Sequence, residues 1–107
     1  MNIWASMILM EGTDPARDRI VRESSAERLT IVFVPTPEAA AAAAIELIDE
    51  DVELIELCGG FGPELTAPVI RAVNGRAAIG VVMFGIESLA PAAAYKAKFE
   101  RGGSGQS

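Results

Sequence analysis

The fold is decided by residues 29–58, which read LTIVFVPTPEAAAAAAIELIDEDVELIELC. The first six of these residues are rich in β-branched side chains and end at a proline, which predicts a strand. Residues 36–38, Thr-Pro-Glu, supply an N-cap, a first-turn proline and an acidic residue, so a helix is expected to follow. Residues 52–58, Val-Glu-Leu-Ile-Glu-Leu-Cys, predict a second strand, in which alternate side chains share a face and Glu56 and Cys58 therefore lie on the same one.

Strands and helices continue to alternate outside this stretch. Apolar runs at residues 3–10 and 77–84 predict two further strands, and a last helix is expected around residues 92–99. The pattern favours an α/β fold with a small, mostly parallel sheet of about four strands built from βαβ units. Near-continuous apolar runs are typical of strands that are covered on both faces. An α+β ferredoxin-like sandwich is the alternative, which would follow if residues 20–23 form a hairpin with residues 29–34.

The start of the helix that ends near Asn74 is ambiguous. Gly62 followed by Pro63 is typical of a helix start, but Pro68 would then lie inside the helix at a cost of about 3 kcal/mol. If Thr66 is the cap, Pro68 falls in the first turn, where proline is tolerated. The second interpretation is preferred.

Length and charge restrict the class of protein. A chain of 107 residues has room for one domain, predicted over residues 1–100, with residues 101–107 as a disordered Gly/Ser-rich tail. The net charge of −6 and the scattered basic residues argue against binding to nucleic acid or to a membrane surface. The absence of a basic signal-peptide region and the single cysteine favour a cytoplasmic protein. A short sheet with exposed edges favours a homo-oligomer.

The chain contains no histidine, which restricts its chemistry. The Ser-His and Cys-His nucleophile systems and the usual zinc ligand sets are excluded. Catalysis would depend on carboxylates, the thiol, Tyr95, lysines, arginines or main-chain groups. No cofactor and no metal site are predicted.

The most informative candidate site is the glycine-rich turn at residues 58–62. Ligands of open α/β sheets bind beyond the carboxyl ends of the strands, and consecutive N–H groups near a helix start can hold an anion. The predicted ligand is therefore a phosphate or carboxylate, and Glu64 would oppose it. The candidate ligand-binding residues are Gly59, Gly60, Phe61, Gly62, Thr36 and Ser88. The alternative is a tight turn without function, with Phe61 as a core side chain.

Glu56 and Glu87 are candidates for an acid/base pair, since both lie near predicted strand ends. Cys58 is a candidate nucleophile that the helix N-terminus or an arginine such as Arg71 or Arg76 would have to activate, and its alternative is inert packing. Two functions remain open. The first is a binding protein for an anionic metabolite, or a small enzyme that uses carboxylate proton transfer. The second is a non-catalytic oligomeric module with a regulatory or structural role.

Residues 55–64, Ile-Glu-Leu-Cys-Gly-Gly-Phe-Gly-Pro-Glu, together with residues 11–15, Glu-Gly-Thr-Asp-Pro, resemble an uncharacterised family of small bacterial proteins. The resemblance covers nearly the whole chain except the tail. It implies a natural stand-alone domain, and it brings no activity, cofactor or catalytic residue with it.

Overall fold

The computed structural model describes residues 1–101, which form a mixed sheet and three α-helices. The strands are β1 (Asn2–Leu9), β2 (Arg19–Glu23), β3 (Glu27–Val34), β4 (Leu54–Cys58) and β5 (Ala78–Val81). The helices are α1 (Pro37–Asp49), α2 (Pro63–Val73) and α3 (Leu89–Arg101), and a 3-10 turn at Ile86–Ser88 precedes α3. Helix α3 ends at Arg101, the first residue of the predicted tail, and the rest of that tail, residues 102–107, lies outside the described residues. Within those residues, no helix has the length and apolar character needed to cross a bilayer.

The sheet contains five strands in the order β2-β3-β1-β4-β5. Strands β1, β3, β4 and β5 are parallel and β2 is antiparallel to β3, which confirms a mostly parallel α/β fold. The expected count of about four strands is too low because β2 pairs with β3 as a hairpin. From the sequence, this hairpin is expected only for the ferredoxin-like alternative. That alternative is not confirmed, since strand direction does not alternate across this sheet. The hydroxyl of Ser24 closes the hairpin by accepting from the N–H groups of Ala26 and Glu27 at 3.2 Å.

Helices α1 and α2 lie on the same face of the sheet and contact each other. The reason is topological. The connections β3-α1-β4 and β4-α2-β5 both move towards the β5 edge, and right-handed crossovers in one direction place their helices on one face. This covered face and the two helices form the core, which includes Ala5, Met7, Val32, Val34, Ile55 and Leu57 from the strands and Ala40, Ala43, Ala44, Leu47, Val69 and Val73 from the helices.

The opposite side of the sheet, hereafter the open face, is covered by neither α1 nor α2. The prediction that both faces are covered is therefore wrong. The connection from β1 to β3, which moves the other way, contains the β2 hairpin and no helix. Alternate residues of the three central strands line the open face: Trp4, Ser6, Ile8, Leu29, Ile31, Phe33, Leu54, Glu56 and Cys58. All of them are half-buried or exposed.

Helix α2 begins at Pro63, with Gly62 as its N-cap, so the preference for a start at Thr66 is wrong. Pro68 lies inside the helix and removes one hydrogen bond from the carbonyl of Glu64. That residue is exposed in the first turn, where water can supply the missing donor. The hydroxyl of Thr66 donates to the Gly62 carbonyl at 2.8 Å, which further ties the first turn together.

Candidate functional site

The parallel strands bring the predicted site segments to one edge of the sheet. Strands β1, β3, β4 and β5 end at Leu9, Val34, Cys58 and Val81, and the glycine-rich turn, Thr36 and Ser88 all follow these ends. This is the edge where α/β proteins bind ligands. The expectation that these segments share an edge is confirmed.

Gly59 and Gly60 adopt main-chain conformations that other residues rarely adopt, with φ of +67° and +101°. They also lie close to β1. The Gly59 carbonyl accepts from the Leu9 N–H at 3.1 Å. A Cβ atom on Gly59 would lie 2.8 Å from Cγ2 of Ile8, and one on Gly60 would lie 3.4 Å from the Leu9 side chain. Glycine is required here by both φ and space, and the turn is fixed against the neighbouring strand.

The main-chain N–H groups directly after Gly59 have no hydrogen-bond acceptor in the described part of the chain. Those of Gly60, Phe61 and Gly62 donate to no acceptor within residues 1–101. The first hydrogen bond of α2 runs from the Thr66 N–H to the Gly62 carbonyl at 3.0 Å, so the N–H groups of Glu64 and Leu65 also lack a helical acceptor. Gly62 has no side chain with which to cap the helix. The segment 60–65 thus presents a series of free donors at the positive end of the α2 dipole.

Helix α1 begins at the same edge but caps itself. The hydroxyl oxygen of Thr36 accepts from the Ala39 N–H at 3.1 Å, and Pro37 occupies the first helical position. The Thr36 side chain is therefore committed to its own helix, which leaves α2 as the uncapped helix start of the two. Ser88, the other candidate from a neighbouring loop, is half-buried, and its N–H donates to the Gly85 carbonyl at 2.9 Å.

The two candidate acid/base residues occupy different surroundings. Glu56 is exposed in the middle of β4 on the open face, in register with Ser6 of β1 and Gly80 of β5. Glu87 lies in the 3-10 turn, where its carboxylate folds back against Gly85. Within the described part of the chain, no hydrogen bond joins these two carboxylates and no common partner holds them.

Cys58 is half-buried at the end of β4 and shares the open face with Glu56, as the alternation predicts. Arg76 does not lie near the thiol. Its guanidinium donates to the carbonyls of Val73 and Ala72 at 2.9 and 2.8 Å, at the C-terminal end of α2 and so at the other edge of the sheet. Arg71, in the last turn of α2, lies at that end too. Neither arginine activates the thiol in this geometry.

Phe61 contributes to the site only through its main chain. Its side chain is 8% exposed and belongs to the core beneath α2, as the structural interpretation of the turn predicts. The anchored ring fixes the turn between β4 and α2, so the neighbouring N–H groups have a defined direction. A core role for the side chain and a binding role for the backbone are therefore compatible.

Sequence reasoning missed the donors of Glu64 and Leu65, because it placed the helix start at Thr66. The Gly62-Pro63-Glu64 signal for an earlier start was present in the sequence. The sequence also gave no indication of a shallow groove at the other edge of the sheet. That groove is lined by Ile3, Ile48, Asp51, Val52, Glu53 and Arg76.

The fold and the site define a small α/β protein in which helix α2 starts beyond the strand ends at a glycine, without a capping side chain. The chain belongs to the family of unknown function DUF6506, whose model matches residues 2–97. The resemblance to an uncharacterised family is thereby confirmed. No curated protein and no solved structure matches the chain at a significant level.

Proposed function

We propose that this protein binds a small anionic ligand, a phosphate or carboxylate, at the main-chain N–H groups of residues 60–65. The observation that carries the proposal is the set of free donors at Gly60, Phe61, Gly62, Glu64 and Leu65, in a turn whose conformation two positive-φ glycines fix. Consecutive N–H groups at the start of a helix form an anion site because donors and helix dipole act in the same direction.

The contrast with α1 supports this proposal. Both helices start at the ligand-binding edge, yet only α1 carries a capping side chain. An N-cap of serine, threonine, aspartate or asparagine stabilises a helix start by about 1 kcal/mol relative to alanine. A glycine without side chain leaves room at that position for an external oxygen anion. Nothing lies within 4 Å of a Cβ built on Gly62, so a side chain at the cap position has room there.

The charge of Glu64 limits the ligands that the site favours. Its carboxylate lies in the first turn of α2 and is exposed, so it repels an anion through water. A ligand with further contacts to the loops around the turn would offset this repulsion better than a bare ion. We therefore infer a metabolite with one anionic group rather than a polyanion.

Binding without chemistry is the form of this proposal that the geometry supports best. Glu56 and Glu87 are not held as a pair, and Cys58 has no basic neighbour in the described hydrogen-bond network. The proton-transfer enzyme considered from the sequence needs a converging set of groups. A regulatory or carrier role needs only the donors and a change of stability on binding.

The decisive variant is Gly62→Asp, which places a carboxylate where the ligand anion is proposed to bind. Gly62 has φ of −106° and ψ of −177°, which suits an aspartate N-cap, so the fold should gain a few tenths of a kcal/mol. The built-in carboxylate should occupy the N–H groups and abolish anion binding. Thermal-shift assays with phosphate and with small phosphorylated and carboxylated metabolites, against chloride at equal ionic strength, measure both effects.

Gly62→Ala is the matched control, since it adds a Cβ in open space but no acceptor. Wild type and Gly62→Ala should respond alike, by about 2.7 kcal/mol at a ligand concentration 100 times the dissociation constant. Gly62→Asp should fold at least as stably and not respond. An unchanged ligand response in Gly62→Asp would place the binding elsewhere, and a blank panel for the wild type would count against the proposal.

A further inference from the structure

We infer that two copies of this chain form a dimer in which α3 of each copy packs on the open face of the other. This inference goes beyond the proposed anion site and uses other surfaces of the molecule. It rests on two unpartnered apolar surfaces in the same chain, one on the sheet and one on the C-terminal helix.

The first surface is the open face. Seven large apolar side chains contribute to it, and none is buried: Trp4, Ile8, Ile20, Leu29, Ile31, Phe33 and Leu54. They are cross-strand neighbours, so they form one continuous patch over β2, β3, β1 and β4. An apolar patch of this kind on a described surface marks an interaction site.

The second surface is α3 with the segment that leads to it. From Leu89 to Glu100, no residue of α3 is buried and only Ala92 and Ala97 are half-buried, so this helix packs little against the rest of the described chain. Tyr95 and Phe99 are 70% and 64% exposed, and Met83 and Ile86 are 82% and 85% exposed. Ala92, Tyr95 and Phe99 follow helical spacing and define one apolar stripe along α3.

The two surfaces match in size and in charge. A helix of 13 residues is about 20 Å long, and five strands span about 19 Å, so one α3 can cross the sheet. On a helical wheel, Lys96 and Lys98 flank the apolar stripe of α3 on its two sides. The open face carries two exposed carboxylates, that of Glu56 and that of Glu27, whose Oε1 accepts from Trp4 Nε1 at 2.9 Å. It also carries one exposed guanidinium, that of Arg22 on the edge strand β2.

A second copy is the occupant that satisfies both surfaces at once. The chain leaves edge strand β5 through residues 82–85, which are exposed, and the α3 that follows is exposed along most of its length. When two identical chains exchange α3, the open face and the α3 stripe of each chain become buried, and the dimer has two-fold symmetry. It also covers the face that the crossover rule leaves without a helix.

The test combines the mass of the particle in solution with the emission of Trp4, the only tryptophan of the chain, which lies on the open face. The wild-type protein should have twice the 11.2 kDa chain mass by sedimentation equilibrium at micromolar concentration. The double variant Tyr95→Glu/Phe99→Glu should have the single-chain mass and a red-shifted Trp4 emission. It should fold, because these side chains are exposed and support no other described element.

The double variant Ala90→Glu/Ala94→Glu is the matched control, since it adds the same two charges to exposed positions of α3 away from the apolar stripe. It should remain a dimer with wild-type emission. A wild-type monomer whose Trp4 emission shifts in Tyr95→Glu/Phe99→Glu would mean that α3 folds back on its own sheet, which overturns the exchange. A dimer that survives in Tyr95→Glu/Phe99→Glu, or a monomer with unchanged emission, overturns it as well.

Discussion

Gly59→Ala should lower the free energy of unfolding by about 2–5 kcal/mol, measured by urea denaturation. The left-handed conformation at φ of +67° costs a residue with a Cβ about 1–2 kcal/mol. The new Cβ would also lie 2.8 Å from Cγ2 of Ile8, and overpacking of this kind costs about 1–3 kcal/mol. The two costs arise at the same residue and should add.

A double-mutant cycle with Ile8→Ala separates these costs. Ile8→Ala removes the atom that the new Cβ would meet, so the second substitution should cost less in its presence. The conformational part should remain. Gly62→Ala should change stability little by comparison, because φ there is −106° and its surroundings are open. If Gly59→Ala were as mild as Gly62→Ala, the geometry of the glycine turn described here would be wrong.

Leu47→Ala should cost about 2–5 kcal/mol, since this side chain is completely buried between α1 and the sheet. The loss has two parts, the lost burial of the side chain and the cavity that the surrounding core cannot fill. The same measurement on Ile70→Ala provides the control. Ile70 is 50% exposed on α2, so its replacement should lower the free energy of unfolding much less. Equal costs at both positions would contradict a core confined to the covered face.

The sequence predicted the elements from residue 29 to residue 58 well because local signals agree there. The strand ends at a proline, Thr36 caps the helix as expected, and alternation in β4 places Ile55 and Leu57 inward. Strand β2 was harder to predict, since four of its five residues are exposed and its sequence carries little apolar pattern. Its place is set by the ladder to β3, which is a tertiary interaction.

The bare sheet face could not be read from residue patterns. The sequence of an apolar strand is the same whether a helix of its own chain or a second chain covers it. The apolar sequence of β1 therefore predicts burial on both faces. The arrangement follows from strand order, and strand order depends on which strands pair across large sequence distances. Once β1 lies between β3 and β4, the handedness of the two crossovers decides the rest.

The sequence places the candidate segments after strand ends, but it does not predict the contacts that their residues make in the structure. Gly59 and Gly60 adopt positive φ, whereas Gly62 serves as a helix cap with negative φ, and the glycine pattern alone does not separate these two uses. Thr36 was grouped with the ligand residues, although its hydroxyl caps α1. Glu56 and Glu87 were paired because both follow the strand pattern, yet they lie in different surroundings. Side-chain partners depend on local geometry that spacing alone does not encode.

The most direct test of the anion site is a titration of ¹⁵N-labelled wild-type protein with the anionic metabolite that gives the largest thermal shift, followed by amide NMR shifts at constant ionic strength. The free N–H groups of Gly60, Phe61, Gly62, Glu64 and Leu65 should move together and saturate with one dissociation constant. The capped start of α1 at Ala39 should not move. Saturable shifts elsewhere with a silent 60–65 segment, or no saturable shifts with any of the small anions that stabilise the protein, would contradict the account.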